Sequence, residues 1–244
     1  METRIKNKSV DIKINSTKEF WQTRVQNGYN LKTVLLNEEV NDDVIKNRNI
    51  KESNLVKSFL EPNKKYKILD IGCGIGRWVE NLLIYIDQYT GIDYTDGFIK
   101  LAKNKYKQTN LEFIQMSATD INISLLRDNY DLSILTGICM YINDKDLPNL
   151  FLTINNLTND IIYLQESVSL TEGRLTLDNF YSNDLRQNYS AIYRTIPEYE
   201  NLLIQYCTNF KLLASGLLLD NKTGNRKETN ASYWILKRSS NDWK

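Results

Sequence analysis

Residues 66–77, YKILDIGCGIGR, constrain the fold of this chain more than any other segment. The apolar run that ends at Asp70 and Ile71 predicts a short strand. Glycines 72, 74 and 76 predict a tight turn that opens an amphipathic helix, because glycine allows backbone conformations and close approaches that a side chain would block. An open parallel sheet binds its ligand where the strands end. The segment therefore predicts a ligand site at this edge.

A second strand, residues 89–94, ends in Asp93, which follows Gly76 by seventeen positions. A carboxylate there can accept hydrogen bonds from both hydroxyls of a ribose. The glycine spacing differs from the G-x-G-x-x-G that receives a pyrophosphate, and no G-x-x-x-x-G-K-[ST] occurs. An NAD-dependent oxidoreductase is therefore the least favoured alternative, and a phosphate-binding P-loop is excluded.

Composition indicates an ordinary soluble globular protein. The 244 residues suffice for one well-cored domain, with 41% hydrophobic and 25% charged residues. No apolar run approaches the roughly 20 residues that span a bilayer, and the amino terminus lacks the apolar core of a signal peptide. We therefore expect a cytoplasmic protein without a membrane span.

The charge balance bears on the acceptor. The net charge is +1, from 31 basic and 30 acidic residues. Proteins that bind nucleic acids usually carry a basic domain or stripe. We therefore expect no nucleic-acid partner.

The chain contains no histidine and three widely spaced cysteines. Histidine is the usual general base near neutral pH and the commonest transition-metal ligand. Its absence excludes Ser-His-Asp and Cys-His hydrolases, and we expect no metal site. Any proton removal falls to Asp, Glu, Tyr, Lys or a thiol.

Strand-like and helix-like segments alternate along most of the chain. The predicted strands are residues 66–71, 89–94, 111–116, 130–137 and 160–168. One helix is predicted directly after the glycine turn. Four more are predicted, one that begins at Asp96, one around residues 121–127, and two at 146–157 and 197–210. This alternation indicates a parallel sheet. The last two strands, 211–219 and 231–237, should pair as an antiparallel hairpin.

The pattern Asp70-x-Gly-x-Gly-x-Gly, followed by a strand that ends in Asp93, resembles the class I methyltransferases that use S-adenosylmethionine (SAM). The resemblance covers about residues 50–238. It implies an α/β, Rossmann-like, seven-stranded and mostly parallel sheet with a terminal antiparallel hairpin and helices on both faces. It also implies SAM as cofactor and S-adenosylhomocysteine as product.

The resemblance extends to individual cofactor contacts. It implies that the turn of Gly72 and Gly74, with the environment of Asp70, holds the methionine amino and carboxylate groups. Asp93 would then bind the ribose, and Tyr94 would cover an adenine face.

The strand ends that follow supply the remaining cofactor contacts. Ser117 stands where family members often have an acidic acceptor for the adenine amino group, so backbone groups or Asp120 are alternatives. The other expected contacts are Ala118, Thr136 and Met140, with Tyr141 as an alternative to Met140.

Two segments outside the sheet are expected to build the acceptor site. We divide the chain into an amino-terminal helical lid, 1–49, and a SAM-binding domain, 50–240, with a substrate-cap insertion at 169–196. The expected acceptor contacts are Tyr29, Arg174, Tyr181, Arg186, Tyr189 and Arg194. The three arginines suggest an anionic acceptor, because guanidinium binds phosphate or carboxylate through paired hydrogen bonds. Surface salt bridging is the alternative.

Two residues are candidates for the catalytic base. Glu166 lies at the carboxyl end of the fifth strand, and its alternative role is to pair a lid arginine. Tyr193 is the second candidate, as a hydrogen-bonding group or a phenolate; its alternative role is packing.

A looser resemblance suggests the acceptor. Residues 20–24 and 193–195 resemble bacterial methyltransferases that modify surface polysaccharides. This implies O-methylation of a sugar, sugar-nucleotide or phosphate-type precursor in capsule biosynthesis. The alternatives are N-methylation of an amino sugar or amino-acid-like metabolite, and a catalytically silent SAM-fold subunit.

Overall fold

A computed structural model describes residues 3–26, 42–126, 129–183, 185–218 and 228–239, and the account below concerns these residues. Its helices are α1 (Ile14–Gln26), α2 (Asp42–Lys57), α3 (Arg77–Leu82), α4 (Asp96–Lys105), α5 (Leu147–Leu157) and α6 (Ile196–Tyr206). Its strands are β1 (Arg4–Lys6), β2 (Tyr66–Ile71), β3 (Ile86–Asp93), β4 (Leu111–Gln115), β5 (Tyr130–Thr136), β6 (Thr158–Ser169), β7 (Leu175–Ser182), β8 (Gln187–Tyr193), β9 (Phe210–Leu217) and β10 (Thr229–Arg238).

The main sheet has seven strands in the order β4-β3-β2-β5-β6-β10-β9. Strands β2 to β6 pair in parallel, whereas β10 is antiparallel to both β6 and β9. This topology confirms the predicted fold class, including the terminal hairpin. The polar turn expected between β9 and β10 lies outside the described residues.

Helices cover both faces of this sheet because the central strands are apolar on both sides. Along β2, Ile68 packs with α3 and α4, whereas its neighbour Leu69 packs with α5 and α6. The same alternation occurs at Ile134 and Leu135 of β5. A continuous apolar run thus builds two cores and fixes where the strand ends project.

Strands β7 and β8 of the 169–196 insertion form a second sheet with the amino-terminal β1, in the order β1-β7-β8. Its apolar face packs under α1 in a third core that contains Phe20, Leu175 and Tyr189. The rings of Phe20 and Tyr189 lie 5.9 Å apart. The insertion therefore supports α1 from behind.

Two local details differ from the sequence prediction. The helix expected around residues 121–127 is a single 3₁₀ turn at Ile123–Leu125. Helix α2 runs continuously through position 49, where we placed a domain boundary; the division itself stays a prediction. Among the described helices, none combines the length and the apolar character that crossing a bilayer requires.

Candidate cofactor and acceptor site

A cleft of about 930 Å³, counted with its open mouth, lies at the carboxyl ends of β2, β3, β4 and β5. Its floor consists of residues that follow these strands, and its roof is helix α1. The lining residues are Ile14, Thr17, Lys18, Trp21, Gly72, Gly74, Asp93, Tyr94, Thr95, Phe98, Met116, Ser117, Ala118, Thr119, Thr136, Gly137, Ile138, Tyr141, Ile142, Asn143 and Asp146.

The glycine turn forms one end of the floor. Gly72 has a φ of +74°, and a Cβ atom there would lie 2.0 Å from Cγ2 of Ile138. Its N–H donates to the carbonyl of Ile92 at 2.8 Å, which ties the turn to β3. Only glycine fits this position, because both the backbone conformation and the neighbouring side chain exclude a Cβ.

Asp93 lines the cleft beside this turn. Its Oδ2 accepts a hydrogen bond from Gly74 N at 3.0 Å, and its Oδ1 accepts one from Thr95 N at 2.8 Å. Burial raises the pKa of Asp93, while these amide bonds lower it. Each carboxylate oxygen can accept a further bond. A partly buried, preoriented carboxylate of this kind suits a pair of hydroxyl donors.

Asp70 lies beneath the turn and does not line the cleft. Its Oδ2 accepts a hydrogen bond from the Tyr89 hydroxyl at 2.5 Å. Burial raises the pKa of Asp70 to about 7. It therefore supports the turn from below, and its predicted effect on the cofactor would act through the backbone.

Open space faces Gly137, at the end of β5. Gly137 has a φ of +69°, and a Cβ there would meet nothing within 4 Å. The neighbouring Thr136 also lines the cleft, and its Oγ1 accepts a hydrogen bond from Trp78 at 3.4 Å. A ligand can therefore approach the backbone closely at this point.

The opposite end of the floor follows β4. Ser117 and Ala118 line the cleft with Met116 and Phe98. The Ser117 hydroxyl shares a 2.9 Å hydrogen bond with Thr119 Oγ1. Asp120, the alternative acceptor, is exposed and does not line the cleft. This end offers apolar contact surface with a few hydroxyl groups.

Helix α1 closes the cleft from above, a role that sequence analysis located only as far as residues 1–49. The Tyr94 hydroxyl donates to the carbonyl of Thr17 at 3.2 Å. The ring of Trp21 lies 5.9 Å from Phe98 and 5.5 Å from Tyr141, edge-on to both. Trp21 therefore bridges the two ends of the cleft, and the aromatic pair at 20–21 was the sequence feature that could have identified it.

The structure does not bring Glu166 to the cleft as a base. Its Oε1 accepts hydrogen bonds from the N–H groups of Ile138, at 2.9 Å, and Cys139, at 2.8 Å. Its Oε2 accepts one from Met140 N at 3.3 Å. Burial raises the pKa of Glu166 to about 7, although these amide bonds lower it. Glu166 therefore anchors the turn after β5 and pairs no arginine of the insertion.

The buried arginine of the insertion, Arg194, also bonds to other parts of the protein and does not reach the cleft. Arg194 is 1% exposed and donates to Asp144 Oδ1, at 2.7 and 2.9 Å. It also donates to the carbonyls of Cys139, at 2.8 Å, and Ile142, at 2.7 Å. Arg194 thus binds carbonyl groups of the same turn whose N–H groups bind Glu166.

Arg174 and Arg186 do not reach the cleft either. Arg174 donates to Glu198, to Asp144 at 2.6 Å and to Ser9 at 3.2 Å. Arg186 is exposed at the turn between β7 and β8. None of the three predicted arginines lines the cleft, and the arginine-lined acceptor site stays a prediction.

The tyrosines of the insertion likewise lie outside the cleft lining. Tyr189 and Tyr193 share a 2.9 Å hydrogen bond within the third core, and Tyr181 is exposed on β7. Met140 is buried in the same core and does not cover the cleft. Tyr29 lies outside the described residues. No described residue of 169–196 lines the cleft, and the role of the insertion as a substrate cap stays a prediction.

Fold and cleft together define a Rossmann-like protein with a nucleoside-type cofactor site at the carboxyl edge of its sheet. Residues 68–160 match the sequence model of a family described as "Methyltransferase domain". The fold is similar to that of a SAM-dependent methyltransferase from Leishmania major, with a TM-score of 0.68 and 17% identity over 91% of this chain and 82% of that one.

Two curated relatives are similar in sequence. Ribosomal RNA small subunit methyltransferase A of Mycoplasma capricolum is 25% identical over 162 residues, 65% of this chain. Phosphoethanolamine N-methyltransferase 3 of Arabidopsis thaliana is 23% identical over 198 residues, 76% of this chain. The chain spans 58% of the length of the first relative and 38% of the second.

Residues 68–160 thus match a methyltransferase-domain family and the fold is similar to that of SAM-dependent methyltransferases, which confirms the resemblance found in the sequence. The predicted cofactor, SAM, is confirmed at the level of this family. The cleft fits that cofactor on its own features: the close approach open at Gly137, the backbone turn at Gly72 and the oriented carboxylate of Asp93. The residue-by-residue contacts stay predictions.

The exclusion of nucleic acid as an acceptor is wrong. The relative from Mycoplasma capricolum is, by its name, a ribosomal RNA methyltransferase. The exclusion rested on the near-zero net charge of the whole chain. That sum does not describe the potential around one cleft, which depends on how the charges are distributed.

Proposed function

We propose that this protein transfers the methyl group of SAM to a nitrogen atom of an amine-type acceptor. The observation that carries the proposal is the position of the two predicted bases. Glu166 is bonded to backbone amides, and Tyr193 lies in the third core. A hydroxyl acceptor must lose a proton as it reacts, which requires a base. A neutral nitrogen carries a free lone pair and needs less help.

The chemistry of the cleft walls supports a nitrogen acceptor. Trp21, Phe98 and Tyr141 present aromatic surface, and aromatic faces attract ammonium groups by about 0.5–2 kcal/mol. The carboxylate of Asp146 lines the same cleft and would attract the positive charge that the nitrogen gains on methylation. O-methylation of a capsule precursor has less support, because the arginines that suggested it are engaged elsewhere.

Bound SAM supplies an activated methyl group: the nitrogen lone pair forms the N–CH₃ bond, and the S–CH₃ bond breaks with its electron pair left on sulfur. The chain's own contribution is alignment, which can supply a large part of such a displacement barrier. Helix α1 covers the cleft through Trp21, and water is thereby kept from the reacting groups. A plant relative is named for N-methylation of phosphoethanolamine, which is consistent with this proposal.

The test is a methyl-transfer screen. The protein is incubated with SAM labelled in the methyl group and with amino sugars, amino acids, ethanolamine, phosphoethanolamine or RNA, and products are analysed by mass. We expect label on nitrogen. Asp146→Asn should lower kcat/KM for the amine, whereas Asp87→Asn, at the opposite edge of the sheet, should not. Label recovered only on oxygen would overturn the nitrogen assignment.

A further inference from the structure

The hydroxyl of Tyr141 is a buried polar group that has no hydrogen-bond partner among the residues that the structure describes. Tyr141 lines the cleft, and its ring packs edge-on against Trp21 at 5.5 Å. Several buried side-chain atoms lack a hydrogen-bond partner among the described residues, and of these only Tyr141 Oη belongs to a residue of the cleft lining. A buried hydroxyl without a partner costs about 1–3 kcal/mol. A ligand in the cleft would remove that cost.

The phenol is kept in its neutral form. Burial raises the pKa of Tyr141 well above its usual value, and the neighbouring phenols of Tyr193 and Tyr189 raise it further. A neutral phenol can both donate and accept a hydrogen bond. The group therefore suits recognition rather than proton removal.

The turn that carries Tyr141 is clamped on both sides. The Glu166 carboxylate binds the N–H groups of residues 138, 139 and 140. The Arg194 guanidinium binds the carbonyls of residues 139 and 142. Two buried charged side chains thus fix one short turn, and neither bonds to the Tyr141 hydroxyl. A side chain carried on so fixed a turn, in the lining of the same cleft as Gly137, is preorganised for a ligand.

We propose that Tyr141 Oη binds the acceptor nitrogen, accepting a hydrogen bond from its N–H and so directing its lone pair towards the methyl group. The inference rests on the proposed function, because it assumes that the acceptor enters this cleft. Tyr141 is then an acceptor-binding residue, and Glu166 and Arg194 are positioning residues that act through it.

The test uses two cofactor analogues in which nitrogen replaces the sulfur of SAM. One carries an aminoethyl arm, whose amine mimics the acceptor, and the other carries a propyl arm of similar shape. We expect wild-type protein to bind the aminoethyl analogue more tightly in calorimetry. Tyr141→Phe should lose about five- to thirty-fold of that preference while its affinity for S-adenosylhomocysteine changes less than about twofold.

A matched control removes a hydroxyl elsewhere. Tyr106 also carries a buried hydroxyl, and its ring packs against Phe113 outside the cleft. Tyr106→Phe should keep the wild-type preference. A second readout needs no variant binding data: in protein labelled with ¹³C at tyrosine Cζ, the Tyr141 resonance should shift with the aminoethyl analogue and not with the propyl one.

The outcomes separate the two proposals. The Tyr141 assignment alone is overturned if S-adenosylhomocysteine binding is intact and Tyr141→Phe still prefers the aminoethyl analogue as strongly as the wild type. It is also overturned if binding is intact and the Tyr141 resonance does not shift with that analogue. Wild-type protein that binds neither analogue nor S-adenosylhomocysteine overturns the proposed function and this assignment with it.

Discussion

Two glycines of the cleft have similar backbone conformations but different surroundings, and substituting them should have different effects. Gly72 and Gly137 have φ values of +74° and +69°. An L-residue in this region costs about 1–2 kcal/mol. A Cβ at Gly72 would also lie 2.0 Å from Ile138 Cγ2, whereas one at Gly137 meets nothing within 4 Å. Only the first substitution adds a collision.

The magnitude follows from these two contributions. Forcing extra atoms into a packed site costs about 1–3 kcal/mol, so Gly72→Ala should lower the free energy of unfolding by about 2–5 kcal/mol. Gly137→Ala should lower it by about 1–2 kcal/mol. At 2–4 °C per kcal/mol for a chain of this size, the corresponding Tm losses are about 4–20 °C and 2–8 °C. Calorimetry should instead find S-adenosylhomocysteine binding more than about tenfold weaker in Gly137→Ala, since its methyl group occupies cleft space.

Urea denaturation followed by circular dichroism measures the stabilities. Adding Ile138→Ala to Gly72→Ala removes the colliding Cγ2, so a double-mutant cycle should recover about 1–3 kcal/mol as coupling. Equal destabilisation by the two alanines, or a coupling near zero, would show that the contact with Ile138 does not explain the glycine at position 72.

Three further predictions concern charged groups. Asp93→Ala should weaken S-adenosylhomocysteine binding by about 1–3 kcal/mol in calorimetry, because the carboxylate predicted to accept hydrogen bonds from the ribose hydroxyls is lost; wild-type affinity would refute the ribose assignment. Burial raises the pKa of Glu166 from 4.5 to about 7, so the folded protein binds a proton there more tightly than the unfolded chain does. The resulting stabilisation, at most about 3 kcal/mol, is fully present below pH 4.5 and is lost as the pH rises through 7. In Glu166→Gln, the free energy of unfolding measured by urea denaturation should therefore depend less on pH between pH 5 and 8. An unchanged pH dependence would contradict the raised pKa of Glu166. Arg194→Met should cost about 3–5 kcal/mol of unfolding free energy, since buried carbonyls lose their donor, and a cost below about 1 kcal/mol would show that the clamp is unimportant.

Most of the fold could be predicted from the sequence because the features that specify its strands and turns lie within short stretches of the chain. The strand that ends at Ile71 and the turn at Gly72 follow from apolar runs and backbone sterics within a dozen residues. The antiparallel end of the sheet followed from the short connection between β9 and β10. Asp93 reached the cleft because the end of a parallel strand fixes which edge of the sheet its last residue occupies.

The acceptor side could not be predicted in the same way. Glu166 and Arg194 were predicted to face the substrate from their residue types and positions along the chain. In the structure they clamp opposite sides of the turn at residues 138–142. Arg194 pairs with Asp144, which is fifty positions away, and no local sequence pattern predicts that pairing.

The sequence by itself determined the sheet and the glycine turn, because strand periodicity and glycine backbone freedom act over a few residues, and the resemblance of these residues to a known family implied the cofactor. The tertiary structure alone decided which charged side chains are free. It placed α1 over the cleft, with Ile12 bound to Asn143 across 131 positions, and it buried Arg194 of the insertion against Asp144. A side chain's chemistry depends on its partners in space, and those partners are set only when distant segments pack together.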